Sequence, residues 1–165
     1  MNAMSDHDVR SFRETLSCFP TGVAIVTAKG ADQAPVGLTI SSFNSVSMSP
    51  PLVLWSLALK SASLAAFRAS RGFVINVLAA DQDSLAGVFS TPVDDRFCHG
   101  HWVEGPEGHP MLEEAAAVLS CRSYAHYDGG DHEIVVGEVI WHEASDRVPL
   151  VYGKGRLAPL AVNGS

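Results

Sequence analysis

The chain has 165 residues, 47% of them apolar and 18% charged, a globular composition that allows one domain with a sizeable core and is unlike that of a disordered segment. Its net charge of −7 argues against a sequence-independent grip on nucleic acid, and any phosphate it binds must be held by local donors. No apolar run approaches the roughly 20 residues that span a bilayer, the polar start from Met1 to Arg10 lacks the pattern of a signal peptide, and Cys18, Cys98 and Cys121 are too far apart for a disulfide framework or a zinc knuckle; a cytoplasmic protein with reduced thiols and no membrane partner is expected.

Ser5 opens a predicted helix in which Val9, Phe12, Leu16 and Phe19 fall at steps of three and four, and Pro20 and Gly22 stop it. The β-branched run from Gly22 to Ala28 and the segment from Pro35 to Ser41 flank the turn material Lys29 to Asp32 and read as a hairpin. Phe43 to Met48 and Leu52 to Leu57 are further strands, broken by Pro50 and Pro51. Ser61 or Ser63 caps a short helix through Ala69 with Leu64 and Phe67 inward, Gly72 ends it, and Phe73 to Leu78 is another strand. Asp81 caps a second short helix carrying Leu85, Val88 and Phe89. The stretch from Ser90 to Pro110, rich in Gly, Pro, His and Asp, reads as a long functional loop with little regular structure.

Val118 to Tyr127 is a strand, Asp128 to Gly130 turns it, and His132 to His142 returns. One face of the return carries His132, Ile134, Val136, Glu138, Ile140 and His142, the other Glu133, Val135, Gly137, Val139 and Trp141. Both faces are partly apolar, so one packs inside the fold and the other against a partner. Pro149 to Tyr152 and Gly155 to Leu157 close the chain. Six to eight short strands with two or three small helices predict a mainly β fold, a closed antiparallel barrel, over a single domain spanning 1–165 with its core at about 9–157. No strand leads into a GxGxxG turn, so a nicotinamide would not bind through a Rossmann fingerprint.

Three segments carry groups suited to chemistry. Gly37 to Asn44 leaves a strand with Thr39, Ser41 and Ser42, hydroxyls and backbone N–H groups that suit the polar edge of a planar heterocycle, or that simply satisfy the strand end. Lys60-Ser61-Ala62-Ser63 precedes a helix and offers an ammonium, two hydroxyls and free N–H groups to an anion, or an ordinary serine cap. A phosphorylated flavin needs both kinds of group. His132, after the Gly129-Gly130-Asp131 turn, is an imidazole that can meet a nicotinamide amide, assist proton transfer or face water. Cys98, His101 and His109 do not have the spacing of a tetrahedral metal site, so no metal is expected. Neither Cys98 nor Cys121 sits in a strained nucleophile turn. Gly22 and Gly37 read as strand bulges.

Phe19-Pro-Thr-Gly-Val-Ala-Ile-Val-Thr27, Pro35-Val-Gly-Leu-Thr-Ile-Ser-Ser-Phe43, Ser47-Met-Ser-Pro-Pro-Leu-Val-Leu54, Phe73-Val-Ile-Asn-Val-Leu78, Asp95-Arg-Phe97 and Gly129-Gly-Asp-His132 occur in that order. Over about Val9 to Leu157 the chain resembles the flavin reductase-like family with the FMN-binding split-barrel fold, which includes the small reductase components of two-component flavin monooxygenases. The resemblance implies a Greek-key antiparallel barrel, a homodimer with FMN or FAD near the subunit interface, and NADH or NADPH as hydride donor. It implies that Thr39, Ser41 and Ser42 hold the isoalloxazine edge, that Ser61 and Ser63 hold the phosphate with Lys60 adding charge, that Phe97 lies near the flavin, and that His132 contacts the nicotinamide. It also implies a flavin-dependent oxygenase that receives the reduced flavin. Two other readings stay open on the residues alone: a flavin-binding protein without turnover, and an oxidase of the pyridoxamine-phosphate type, against which the Gly-Gly-Asp-His segment argues.

Overall fold

A computed structural model describes residues 5–161. Helix α1 (Asp6–Leu16) starts in a capping box: the Ser5 hydroxyl accepts from the Asp8 N–H, and the Asp8 carboxylate accepts from the Ser5 N–H and O–H. Its apolar stripe is not packed, for Phe12 and Leu16 are more than half exposed and no residue of α1 is buried.

The strands β1 (Thr21–Gly22), β2 (Ala24–Lys29), β3 (Pro35–Ile40), β4 (Asn44–Met48) and β5 (Pro51–Ala58) come first, followed by α2 (Leu64–Ala69), β6 (Gly72–Val77) and α3 (Asp83–Ser90). The remainder is β7 (Trp102–Glu104), β8 (Pro110–Leu112), β9 (Ala117–Gly129), β10 (His132–Ala144), β11 (Leu150–Gly153) and β12 (Arg156–Pro159). Seven strands form one antiparallel sheet in the order β3-β2-β6-β9-β10-β5-β4. Its two edges, β3 and β4, are consecutive in the chain, so the connection from Ser41 to Phe43 draws the edges together and the sheet rolls into the expected barrel. β1, β11 and β12 make a small second sheet.

The apolar run of β2 is continuous because both faces of the strand are buried. Ala24, Val26 and Ala28 point into a cluster with Trp55, Leu57, Phe67, Phe73 and Val135, while Ile25 joins Val74, Leu78, Phe89 and Leu150 under α3. Trp55, fully buried, meets Phe67 and Phe73 edge to face at 5.1 and 5.7 Å, so α2 plugs the inside of the barrel through Phe67.

Several local expectations are corrected. Asp81 lies inside a 3-10 turn (Ala80–Gln82), where it pairs with Arg147, and the cap position of α3 is Gln82. The 90–110 stretch is more ordered than composition implies: it holds a 3-10 turn (Arg96–Cys98) and β7, which pairs with β8 as a hairpin. Neither the Ser61 nor the Ser63 side chain caps an α2 N–H, although their backbone carbonyls accept from Leu64 and Phe67; the Ser61 hydroxyl instead accepts from the Ser63 N–H at 3.2 Å. Gly37 pairs regularly with Thr27 and is no bulge. The register shifts fall elsewhere: between β9 and β10, at Val136/Gly137 and at Val139/Trp141, and between β4 and β5, at Ser45/Ser47.

A buried polar network fastens the β7–β8 hairpin to the sheet. The Asn76 amide donates to the Ile25 carbonyl and to the Thr27 hydroxyl, and its oxygen accepts from the Leu112 N–H at 2.8 Å. The Thr27 hydroxyl donates to the Pro110 carbonyl. Both side chains are fully satisfied, which is what lets them sit at zero exposure.

Candidate flavin site

The β3 edge and the segments around it collect most of the residues singled out above. Ser63 and Phe97 line one cavity of about 270 Å³ together with Gly37, Asp95 and Arg96, although they lie far apart in the chain. Phe97 is held there by an aromatic trio, with its ring centroid 5.2 Å from Phe89 and 5.1 Å from Trp102. The Arg96 guanidinium donates to the carbonyls of Gly37 at 2.9 Å and Thr91 at 2.7 Å and has no carboxylate partner among the described residues. The Ser63 hydroxyl likewise has no hydrogen bond among the described residues. A half-buried guanidinium with no carboxylate bonded to it and an uncommitted hydroxyl, in one cavity that Asp95 also lines, are donors an anion can use.

Thr39 and Ser41 line a second cavity of about 400 Å³ with Val23, Ala86, Tyr152 and Leu157. The Thr39 hydroxyl donates to the Ala86 carbonyl at 2.8 Å, so it docks α3 and retains only acceptor capacity. Ser41 is exposed and uncommitted. The Ser42 hydroxyl accepts from the Ser56 N–H at 3.0 Å, which ties the β3–β4 crossover onto β5. An apolar slot with hydroxyls at its rim at one end of β3, and an uncompensated Arg96 with Ser63 at the other, fit a flat ring joined to a phosphate.

His132 begins β10 opposite Ala58, and Leu59 N–H donates to the Asp131 carbonyl at 3.0 Å, so the Lys60–Ser63 loop and the β9–β10 turn share one end of the sheet. The turn residues are Gly130, at φ +78°, and Asp131. His132 Nδ1 lies 2.6 Å from the Asp131 carboxylate, and 44% of its side chain is exposed. The His132 hydrogen bond and charge, aided by the Lys60 ammonium, hold the Asp131 carboxyl below its ordinary range. Asp131 therefore fixes the ring and leaves Nε2 for a ligand.

His132 lines neither of the two β3 cavities. On the other face of β10, Glu133 is buried between Arg68, which donates through Nε at 2.8 Å, and His126, whose Nδ1 is 2.5 Å away. Hydrogen bonds from Arg68 lower the Glu133 pKa most, with His126 acting the same way. This network locks α2 onto β10.

Arg96 is a site residue that sequence reasoning misses, even though Asp95-Arg-Phe97 is one of the motifs carrying the resemblance; only its long-range bond to Gly37 marks it out. Cys121 is buried, with its thiol pushed up to about 12 by burial, so it is no nucleophile at neutral pH.

Comparison with known proteins identifies the family and agrees with the fold. Residues 16–161 match the flavin reductase like domain. The chain is 44% identical over 146 residues to an FMN reductase (NADH), SmoA, of Agrobacterium fabrum, covering 88% of this chain and 83% of that one. It is 41% identical over 155 residues to the reductase component of a 4-nitrophenol 4-monooxygenase/4-nitrocatechol 2-monooxygenase of Rhodococcus opacus, covering 94% and 83%. Among solved structures, the NADH:FAD oxidoreductase SgcE6 of Streptomyces globisporus, in complex with NAD and FAD fragments, superposes over all of both chains with a TM-score of 0.91 at 35% identity. With the motifs in order, the barrel, and a family match covering most of its length, this chain belongs to the flavin reductase like family.

Proposed function

We propose that this flavin reductase oxidises NADH, passes the hydride to FMN, and supplies the reduced flavin to a separate monooxygenase. The observation that carries the reading is the convergence of Ser63, Arg96 and Phe97 on one cavity beside the β3 edge. When bound, the flavin supplies the hydride-accepting chemistry. The chain's own residues bind and orient. Ser61 and Ser63 hold the phosphate through their hydroxyls, Arg96 gives it a fixed charge, and Lys60 adds a more distant one. Thr39, Ser41 and Ser42 frame the ring edge, with Ser41 the free donor. Phe97 supplies an apolar wall that excludes water. His132, oriented by Asp131, meets the nicotinamide amide through Nε2.

The same reading includes a cytoplasmic homodimer formed by one domain with its core at about 9–157. The exposed apolar side chains of Phe12, Leu16, Phe19 and Met48, the last 90% exposed, support a second copy covering part of this surface. Among the described residues no helix is long and apolar enough to cross a membrane. The names of the Agrobacterium and Rhodococcus relatives support NADH as donor and an oxygenase as recipient.

The test is NADH consumption followed by absorbance with FMN, FAD and no flavin, and with NADPH in place of NADH. Catalytic turnover that requires added flavin is the expected result. Flavin binding without turnover would leave a binding protein, and sedimentation as a monomer would remove the dimer.

A further inference from the structure

A cleft of about 540 Å³ opens where the β2–β3 turn, the α2–β6 corner and the β7–β8 hairpin meet. It shares no lining residue with the Ser63–Arg96 cavity, and its case does not depend on flavin binding. On a chain of net charge −7, this cleft gathers the cations Lys29, Arg71 and Arg122. Lys29 lies 3.1 Å from Glu104, and Arg122 donates twice to Glu107, at 2.8 and 2.6 Å. Arg71 has neither an ion pair nor a side-chain hydrogen bond among the described residues.

His109 supplies the second, independent observation. It is 7% exposed, and its Nδ1 accepts the Lys29 N–H at 3.2 Å, so the neutral ring carries its proton on Nε2. Burial, aided by the Lys29 charge and opposed by Glu107, holds its pKa below the ordinary value and keeps it neutral. That Nε2–H has no hydrogen-bond partner among the described residues, yet His109 lines the cleft. An N–H on a side chain only 7% exposed, in a cleft that also holds Arg71, unpaired among the described residues, is a donor set that an oxyanion completes.

We propose that this cleft binds a phosphate dianion, free or at the end of an ester, through His109 Nε2–H and the guanidinium groups of Arg71 and Arg122. Glu107 is the internal competitor. It occupies Arg122 from the hairpin that carries His109, at a left-handed φ of +61°, and an incoming phosphate takes its place. Because β7 bears Trp102 of the aromatic trio, an occupied cleft also braces the hairpin that supports Phe97.

The test is isothermal titration of inorganic phosphate, and separately of adenosine monophosphate, into protein carrying one equivalent of FMN, at near-neutral pH and fixed ionic strength. One site per chain is expected, and the His109 imidazole NMR signals shift on binding. Arg71→Gln weakens the affinity about tenfold, the value of one solvent-screened charge-assisted contact, and Glu107→Gln tightens it. Equal affinity for both titrants identifies the phosphate group as the ligand; tighter binding of the nucleotide identifies an ester. Absence of binding overturns the proposal, as does binding that Arg71→Gln and Glu107→Gln both leave unchanged.

Discussion

Replacing Gly37 by alanine should both destabilise the fold and loosen flavin binding. A Cβ at Gly37 would stand 2.9 Å from Phe89 Cε1, 3.1 Å from Cδ1 and 3.3 Å from Phe97 Cζ. Phe89 is 1% exposed and braced edge to face by Phe97, with Trp102 at 5.3 Å, so its ring has no free space to enter. Overpacking of this kind costs roughly 1–3 kcal/mol. Removing a strand glycine returns about 0.5–1 kcal/mol through the unfolded chain. The net expectation is a loss of about 1–2 kcal/mol, or about 3–6 °C in Tm for a chain of this length. Urea unfolding with an unchanged slope measures it. FMN affinity, followed by flavin fluorescence, should fall in parallel, because the displaced rings line the cavity that holds Ser63 and the Gly37 carbonyl anchors Arg96. Phe89→Leu in the Gly37→Ala background should restore part of both. A Gly37→Ala protein as stable as the parent would refute the claim that aromatic approach dictates glycine here.

Three further predictions concern other parts of the molecule. His132→Ala should raise the KM for NADH severalfold while changing FMN affinity little; equal losses in both would remove His132 from the nicotinamide site. Glu133→Gln should cost about 1–3 kcal/mol at pH 7, less than a fully buried pair because the Arg68 and His126 side chains are 52% and 28% exposed. The folded-state pKa of Glu133 is depressed, so its contribution is present above the unfolded value near 4.3 and is lost as pH falls through the folded one; the variant should show a flatter acid limb in unfolding experiments. His109 also has a depressed pKa, so below about pH 6.5 the unfolded chain binds the extra proton and stability falls on acidification. His109→Asn, whose amide oxygen can accept the Lys29 N–H, should flatten the profile below about pH 6.5.

Whatever repeats or breaks locally was legible in the sequence. The β2–β3 hairpin derives from a β-branched run and its turn residues, the β9–β10 hairpin from alternation and a glycine turn, and the short helix after Ser63 from a serine start and a glycine stop. Asp81 carries the same local signal as a helix cap, and there the signal failed because Arg147, 66 residues away, claims its carboxylate. The 102–112 hairpin was illegible for a related reason. Its three-residue strands are too short to show a period, and they are ordered by Thr27 and Asn76 reaching across from the sheet. The candidate site divides along the same line. Thr39, Ser41, Ser42, Ser61 and Ser63, with the Lys60 ammonium, could be named because polar groups cluster next to element ends, but the division of the hydroxyls between ligand and backbone could not. Thr39 is drawn to Ala86 and Ser42 to Ser56, while Ser41 and Ser63 remain free, and only the packing of α3 and β5 decides which. Arg96 is placed by one local bond, to the Thr91 carbonyl, and one distant one. Its role rests on a bond to a carbonyl 59 residues away, on a residue where a Cβ would press on Phe89 and Phe97. The glycine that looked like a bulge in the sequence is thus a condition for placing the cation, and the stability and flavin-binding effects of changing it should be inseparable.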